Sequence, residues 1–232
     1  MKRVKLDGFI NRYNLGGEIE SVMIKSTDDK LTVRMISDDK TLLGNVSMLD
    51  TEFPVGDFGI YTTSQLKGLL GVLDDSITIE EVTGALKFSD TSKTKIQYML
   101  AAPSVIPSVP DLKTLPAFDA EIALNDEFVS KFIKSTSALT ESPTFTFTLK
   151  KGIGEIVLGY STINSNRSTI AVDVTSEVDI DAIAFSSKYL KAILNANRSA
   201  KTSSLKISSK GLAVVSFEAD EYTAQYFLVE IK

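Results

Sequence analysis

The 232-residue chain contains no cysteine, no histidine and no tryptophan. Without Cys or His there is no thiol nucleophile, no serine–histidine relay and no zinc site built from nitrogen and sulfur ligands. A cysteine-free composition fits a reducing compartment. No apolar run is long enough to span a bilayer, and Met1-Lys2-Arg3 is not followed by a signal-type apolar core. The chain therefore reads as cytoplasmic, with no membrane partner. A glycine-rich phosphate loop is missing too, since Gly152-Ile-Gly154 is a lone GxG inside a hairpin signal. The acidic pairs Asp28-Asp29, Asp38-Asp39, Asp74-Asp75 and Glu80-Glu81 are dispersed in turn-like contexts. They read as solvated turns rather than a Mg²⁺ site. No metal, no cofactor and no enzymatic activity is expected.

What is present is mostly strand signal. Period-two alternation marks Leu31–Ile36, Phe145–Leu149, Thr169–Val174 and Leu212–Phe217. Four short stretches are helical instead. One follows Asp7 with Phe9, Ile10 and Tyr13 on one side. One follows Thr62-Thr63 with Leu66, Leu69, Leu70 and Leu73. One follows Asn125 with Phe128, Val129, Phe132 and Ile133, and the last follows Ser186-Ser187 with Leu190, Ile193 and Leu194. Each has a side chain placed to cap its first turn.

The helices form two matched pairs. Phe9-Ile-Asn-Arg-Tyr13 resembles Phe128-Val-Ser-Lys-Phe132 at an offset of 119, and Leu66-Lys-Gly-Leu-Leu70 resembles Leu190-Lys-Ala-Ile-Leu194 at an offset of 124. Both offsets are close to half the chain, as an internal duplication would give. We expect domains over 1–102 and 117–232 joined by a connector over 103–116. Residues 101–116 hold four of the six prolines, and proline cannot donate to a ladder. The alternating Val105, Ile106, Val109, Leu112 and Leu115 predict that this extended connector lies against the protein.

Formal net charge is −5, which argues against a generic basic nucleic-acid module. The charges are segregated, however. The helix bodies, taken as 8–14, 64–73, 128–137 and 188–195, contain six bases (Arg12, Lys67, Lys131, Lys134, Lys188 and Lys191) and no acid. At the chain average about 4.5 acids are expected there. The loop after the last helix adds Arg198 and Lys201. Cations on one surface attract phosphates by releasing counterions, without reading sequence.

Helix order, connector and length together resemble the DNA polymerase sliding clamps. Ile183–Leu194, Leu212–Phe217 and Ala224–Ile231 resemble the last third of the proliferating cell nuclear antigen family. Phe58–Asp75 and the Ala101-Ala-Pro connector resemble the clamps of T-even-type bacteriophages. The resemblance implies an α+β DNA clamp fold. It has two similar domains per chain, each with two short helices against antiparallel sheets, and a homotrimer closing a six-domain ring. It also implies a non-enzymatic processivity factor that encircles duplex DNA and binds a DNA polymerase and an ATP-dependent clamp loader. The helix cations named above, with Arg198 and Lys201, would face DNA. Partner peptides would enter a pocket of Met35, Leu43, Val105, Ile106, Phe227, Leu228 and Val229. Subunits would pair an edge carrying Ile96, Tyr98 and Leu100 with one carrying Thr169, Ala171 and Asp173. The alternatives are a structural β protein of a virus and a monomeric processivity factor of the same fold.

Overall fold

The computed structural model describes residues 1–49, 52–159, 166–174, 176 and 178–232. Two compact units emerge. The first comprises Met1–Ser37, Gly44–Pro110 and Asp220–Ala224; the second comprises Asp38–Leu43, Asp111–Ala219 and Gln225–Lys232.

The first unit begins with α1 (Arg3–Asn14), followed by β1 (Val22–Ser26), β2 (Lys30–Ile36), β3 (Leu42–Leu49) and β4 (Gly56–Ile60). Then come α2 (Thr63–Leu70), β5 (Ile77–Val82), β6 (Ala85–Asp90) and β7 (Lys95–Met99). One sheet runs β4-β1-β2-β3 and the other β5-β6-β7. A 3₁₀ turn over Pro103–Val105 opens the connector. The rest of the chain adds β8 (Ala120–Ala123), α3 (Asp126–Ala138), β9 (Thr144–Lys150), β10 (Ile153–Leu158), β11 (Ser168–Val172) and β12 (Ile180–Ser186). It ends with α4 (Ser187–Ala196), β13 (Thr202–Ser208), β14 (Leu212–Glu218) and β15 (Tyr222–Val229). Here the orders are β12-β9-β10-β11 and β8-β13-β14-β15.

The two orders are the same pattern twice, so the duplication inferred from the helix pairs extends to the sheets. The entry strand recurs only as a trace. β8 pairs with β13, while in the first unit Lys2 makes a single antiparallel bridge to Ser76, just ahead of β5. A further repeated detail fixes the second helix of each unit. The Thr63 hydroxyl donates to the Glu20 carbonyl at 2.7 Å, and the Ser187 hydroxyl donates to the Ser142 carbonyl at 2.8 Å. Each bond ties the start of a helix to the segment leading into the sheet beside it.

Helix caps follow the sequence in the second unit and depart from it in the first. Asn125 accepts from the Phe128 amide at 2.8 Å and Ser186 from the Tyr189 amide at 3.3 Å, as expected of N-caps. α1, by contrast, starts at Arg3, with Lys2 as a cap that makes no side-chain bond, so Asp7 lies inside the helix rather than ahead of it. Neither does Thr62 cap α2 with its side chain. That role falls to Glu20, whose carboxylate accepts from the Ser64 amide at 2.8 Å and also bonds the Ser64 hydroxyl.

The cores are aliphatic and aromatic. Phe9, Ile10 and Tyr13 of α1 are fully buried, with Phe9 and Tyr13 edge to face at 5.6 Å. In the second unit Phe132 lies between the rings of Phe128 and Phe145, at 6.0 and 5.5 Å, and Phe145 continues to Phe185 at 5.6 Å. Burying each such side chain contributes about 1.5–3 kcal/mol. Gly59 of β4 has a separate reason to be glycine: a Cβ there would lie 2.3 Å from the Ala101 carbonyl oxygen, where the connector begins.

The connector behaves differently from its apolar pattern. Val105 is 53 % exposed, Leu112 and Leu115 are also exposed, and only Ile106 and Val109 are half-buried. Residues 107–118 form no helix or strand. At its centre a polar contact replaces apolar burial. The Arg34 guanidinium donates to the Pro110 carbonyl at 2.7 Å and to that of Val109 at 3.4 Å.

Candidate nucleic-acid interface

In each unit the two helices lie side by side and turn their apolar residues inward. Their remaining faces carry the charge. With the observed boundaries the four helices contain eight bases and three acids, because Asp7, Asp126 and Glu127 fall inside them. The acid-free surface read from the sequence is therefore corrected to a surface of net positive charge. Two of the three acids are paired on their own helix: Asp7 with Arg3 at 2.9 Å, and Glu127 with Lys131 at 2.7 Å.

Each expected DNA-facing cation has a definite setting. Arg12 is half-buried, its Cζ 3.4 Å from the centre of the Tyr222 ring, a cation–π stack that holds the guanidinium flat. Lys67 is half-buried and acts on Asp7. Burial pushes the Asp7 carboxyl above its ordinary pKa, against the opposing pull of Arg3 and Lys67. Lys131 is exposed, and its bond to Glu127 lowers the pKa of that carboxyl. The Lys191 ammonium donates to the Ser137 hydroxyl at 2.9 Å, linking α4 to α3. Lys188 sits 5.5 Å from the Tyr189 ring centre. Lys134, Arg198 and Lys201 are exposed, and Arg198 Nη2 donates to Asn195 Oδ1 at 2.8 Å.

The second unit brings Lys134 and Arg198 to one groove. A groove of about 530 Å³ runs between α3, α4 and the sheet edge, with Val129, Ile133, Leu194 and Phe217 as its apolar lining and Lys134 and Arg198 among its polar residues. Sequence reasoning selected both cations but not the groove between them.

Among the described residues the two expected contact edges are edges of their sheets: β7 pairs only with β6, and β11 only with β10. On β7 the side chains divide. Tyr98 points inward, its hydroxyl donating to the Thr62 carbonyl at 3.2 Å and accepting from the Thr62 amide at 3.1 Å. Ile96 and Leu100 are half-buried, while Lys95, Gln97 and Met99 are exposed. The ladder bond from the Leu100 amide to the Gly84 carbonyl sets the alternation, so the backbone groups of the exposed three point away from β6. On β11, Thr169 and Ala171 are exposed around the buried Ile170, and Asp173 lies just past the strand.

The residues expected to receive partner peptides divide between the units. Met35, Val105 and Ile106 belong to the first; Leu43, Phe227, Leu228 and Val229 belong to the second. Met35 and Leu228 are fully buried, Leu43 and Phe227 nearly so, and Val105 and Val229 are exposed. In the first unit a groove of about 410 Å³ flanks the connector, lined by Met23, Lys25, Thr32, Arg34, Asn45, Pro107 and Val109. Arg34 was not anticipated from the sequence. Its only signal was a cation on an alternating strand, in register with Met23.

No protein-family profile matches the sequence, and no curated protein does. A structural match exists and covers 100 % of this chain: Proliferating Cellular Nuclear Antigen from Entamoeba histolytica, 96 % of which is covered, with a TM-score of 0.74 at 14 % sequence identity. The fold is the PCNA-type clamp fold. That fold is carried by the repeated topology described above. In this clamp fold no described helix is long and apolar enough to cross a membrane, and no cluster of three metal-ligating side chains occurs among the described residues.

Proposed function

We propose that the chain is a non-enzymatic sliding clamp that encircles duplex DNA as a homotrimer and tethers a DNA polymerase to its template. The observation that carries this reading is the end-to-end clamp fold combined with net cationic helices in an acidic chain. A closed ring cannot leave DNA sideways, so retention needs only weak, sequence-independent phosphate contacts. Arg12, Lys67, Lys131, Lys134, Lys188, Lys191, Arg198 and Lys201 are the proposed contacts. Tethering raises the local concentration of the polymerase at the primer end, which increases processivity.

Subunits join through the β7 and β11 edges, which pairing would satisfy. The exposed Val105 beside the first unit's groove supports a peptide-binding role for the connector flank. Ring opening is assigned to a separate ATP-dependent loader, and the resemblance of Phe58–Asp75 to phage clamps supports a role in replication, in the host cytoplasm if the protein is viral.

Light scattering combined with retention on circular and linear duplexes tests the proposal. A trimer that stays on circular DNA and runs off linear DNA supports it. A monomer that holds linear DNA directly would make it a solitary processivity factor. No DNA retention and no stimulation of a polymerase would leave a structural β protein.

A further inference from the structure

The two units are built on one pattern, yet their helical faces differ where they could meet an anion. At the offset of the first helices, Leu15 corresponds to Lys134; at the offset of the second helices, Asp74 corresponds to Arg198. Leu15 is buried, and Asp74 accepts from the Ser92 hydroxyl. The first unit thus has an apolar residue and an acid where the second has two bases.

The neighbouring surface differs in the same direction. Ile10 and Asn14 of α1 are buried, whereas their counterparts Val129 and Ile133 are only half-buried and line the 530 Å³ groove beside Lys134 and Arg198. Cations are engaged within both units, Arg3 with Asp7 and Arg12 on the Tyr222 ring in the first, Lys131 with Glu127 and Lys191 with Ser137 in the second, so the difference lies at the groove itself. An apolar floor flanked by two bases matches a phosphodiester backbone, whose deoxyribose is apolar and whose phosphates are anionic. Asp126 also lines the groove, so its charged lining is two bases and one acid, a net cation.

From this asymmetry we infer that the groove between α3 and α4 seats one strand of the DNA backbone and makes the second unit the principal grip on the duplex. The inference rests on the clamp reading and assigns the uneven share of each half.

The test compares charge-matched pairs in the full chain, K134Q/R198Q in the groove and K5Q/K67Q in the first unit, using a labelled 30-base-pair linear duplex across a salt series. Loss of two phosphate contacts lowers the slope of log affinity against log salt by about 1.8. K134Q/R198Q should show that change and at least about a tenfold loss of affinity; K5Q/K67Q, in which only Lys67 is a proposed contact, should lower the slope by no more than about 0.9 and lose several-fold less affinity than the groove pair. A third variant, S130F, fills the groove without altering charge and should also weaken binding several-fold. Equal losses in the two pairs, or unchanged binding by S130F, would overturn the inference while leaving the DNA reading intact. Unchanged binding in both pairs would overturn the two together. Melting curves matched to the parent protein confirm that each variant is folded.

Discussion

The carboxylate of Glu20 and the backbone amide of Ser64, 44 positions apart, meet at 2.8 Å across the start of α2. The acid stands at the positive end of the helix and accepts an amide left free in the first turn. Its other oxygen accepts from the buried Asn14 side chain at 3.2 Å. One side chain therefore joins α1, α2 and the segment leading into β1.

Replacing Glu20 with Ala should destabilise the protein by about 1–2 kcal/mol, the usual cost of a lost N-terminal cap. Glu20→Gln should recover part of that, because it keeps an acceptor. Urea unfolding of the three proteins measures it; an Ala variant as stable as the parent would show that the cap carries no weight.

Phe132 sets the upper end of the scale. It is fully buried between two aromatic rings, so Phe132→Ala leaves a cavity and should cost about 3–5 kcal/mol. A loss below about 1 kcal/mol on chemical denaturation would mean that the ring stack collapses into the space.

Gln97 tests the edge of β7 without disturbing its pairing to β6. Its amide points outward, so Gln97→Pro removes a donor that the ladder does not use. The expected result is a monomer on light scattering with an intact circular dichroism spectrum. A trimer that survives this change would move the subunit contact to another surface.

Two carboxylates should respond to pH in opposite senses. The Ser209 amide donates to Asp119 at 2.7 Å and holds its carboxyl below the ordinary pKa. The stabilisation from that bond is present above the unfolded carboxylate pKa of about 3.9 and fades as pH falls through the lower folded value. Asp119→Asn should therefore flatten the acid limb of a stability–pH curve. Asp7 runs the other way, since burial raises its pKa. It favours the fold most when protonated, and that advantage is lost as pH rises through its folded value. Asp7→Asn should raise the melting temperature more at pH 7 than at pH 3.5, and the reverse ordering would contradict the burial of its carboxyl.

Much of this architecture was legible in the sequence because helix and strand periods are local. Phe9 with Phe128, and Leu66 with Leu190, announced a repeat, and Asn125 and Ser186 announced their caps. What escaped was contact between distant segments. Glu20 supplies a cap that Thr62 was expected to make, and no spacing rule links positions 20 and 64. α1 starts before Asp7 because Met1 and Arg3 bond Ile77 and Asp75, which anchor the first turn through the backbone. The connector misled for another reason. Its valines and leucines suggested burial, yet one arginine on a neighbouring strand holds it instead. The cations were easy to pick, but pattern alone could not show that Lys134 and Arg198 share a groove while Arg12 rests on Tyr222.

The exposed margins at β7 and β11 are unlike surfaces, three odd-numbered residues on one and an alternating Thr-Ile-Ala run on the other. If they couple, every protomer presents a plug and a socket rather than a self-matching patch, and such head-to-tail joining has no intrinsic end point. Only the angle between successive copies decides whether the series shuts on itself or grows into a fibre. A mutation that tilted either margin by a few degrees would then convert a discrete particle into a polymer while each protomer kept its fold.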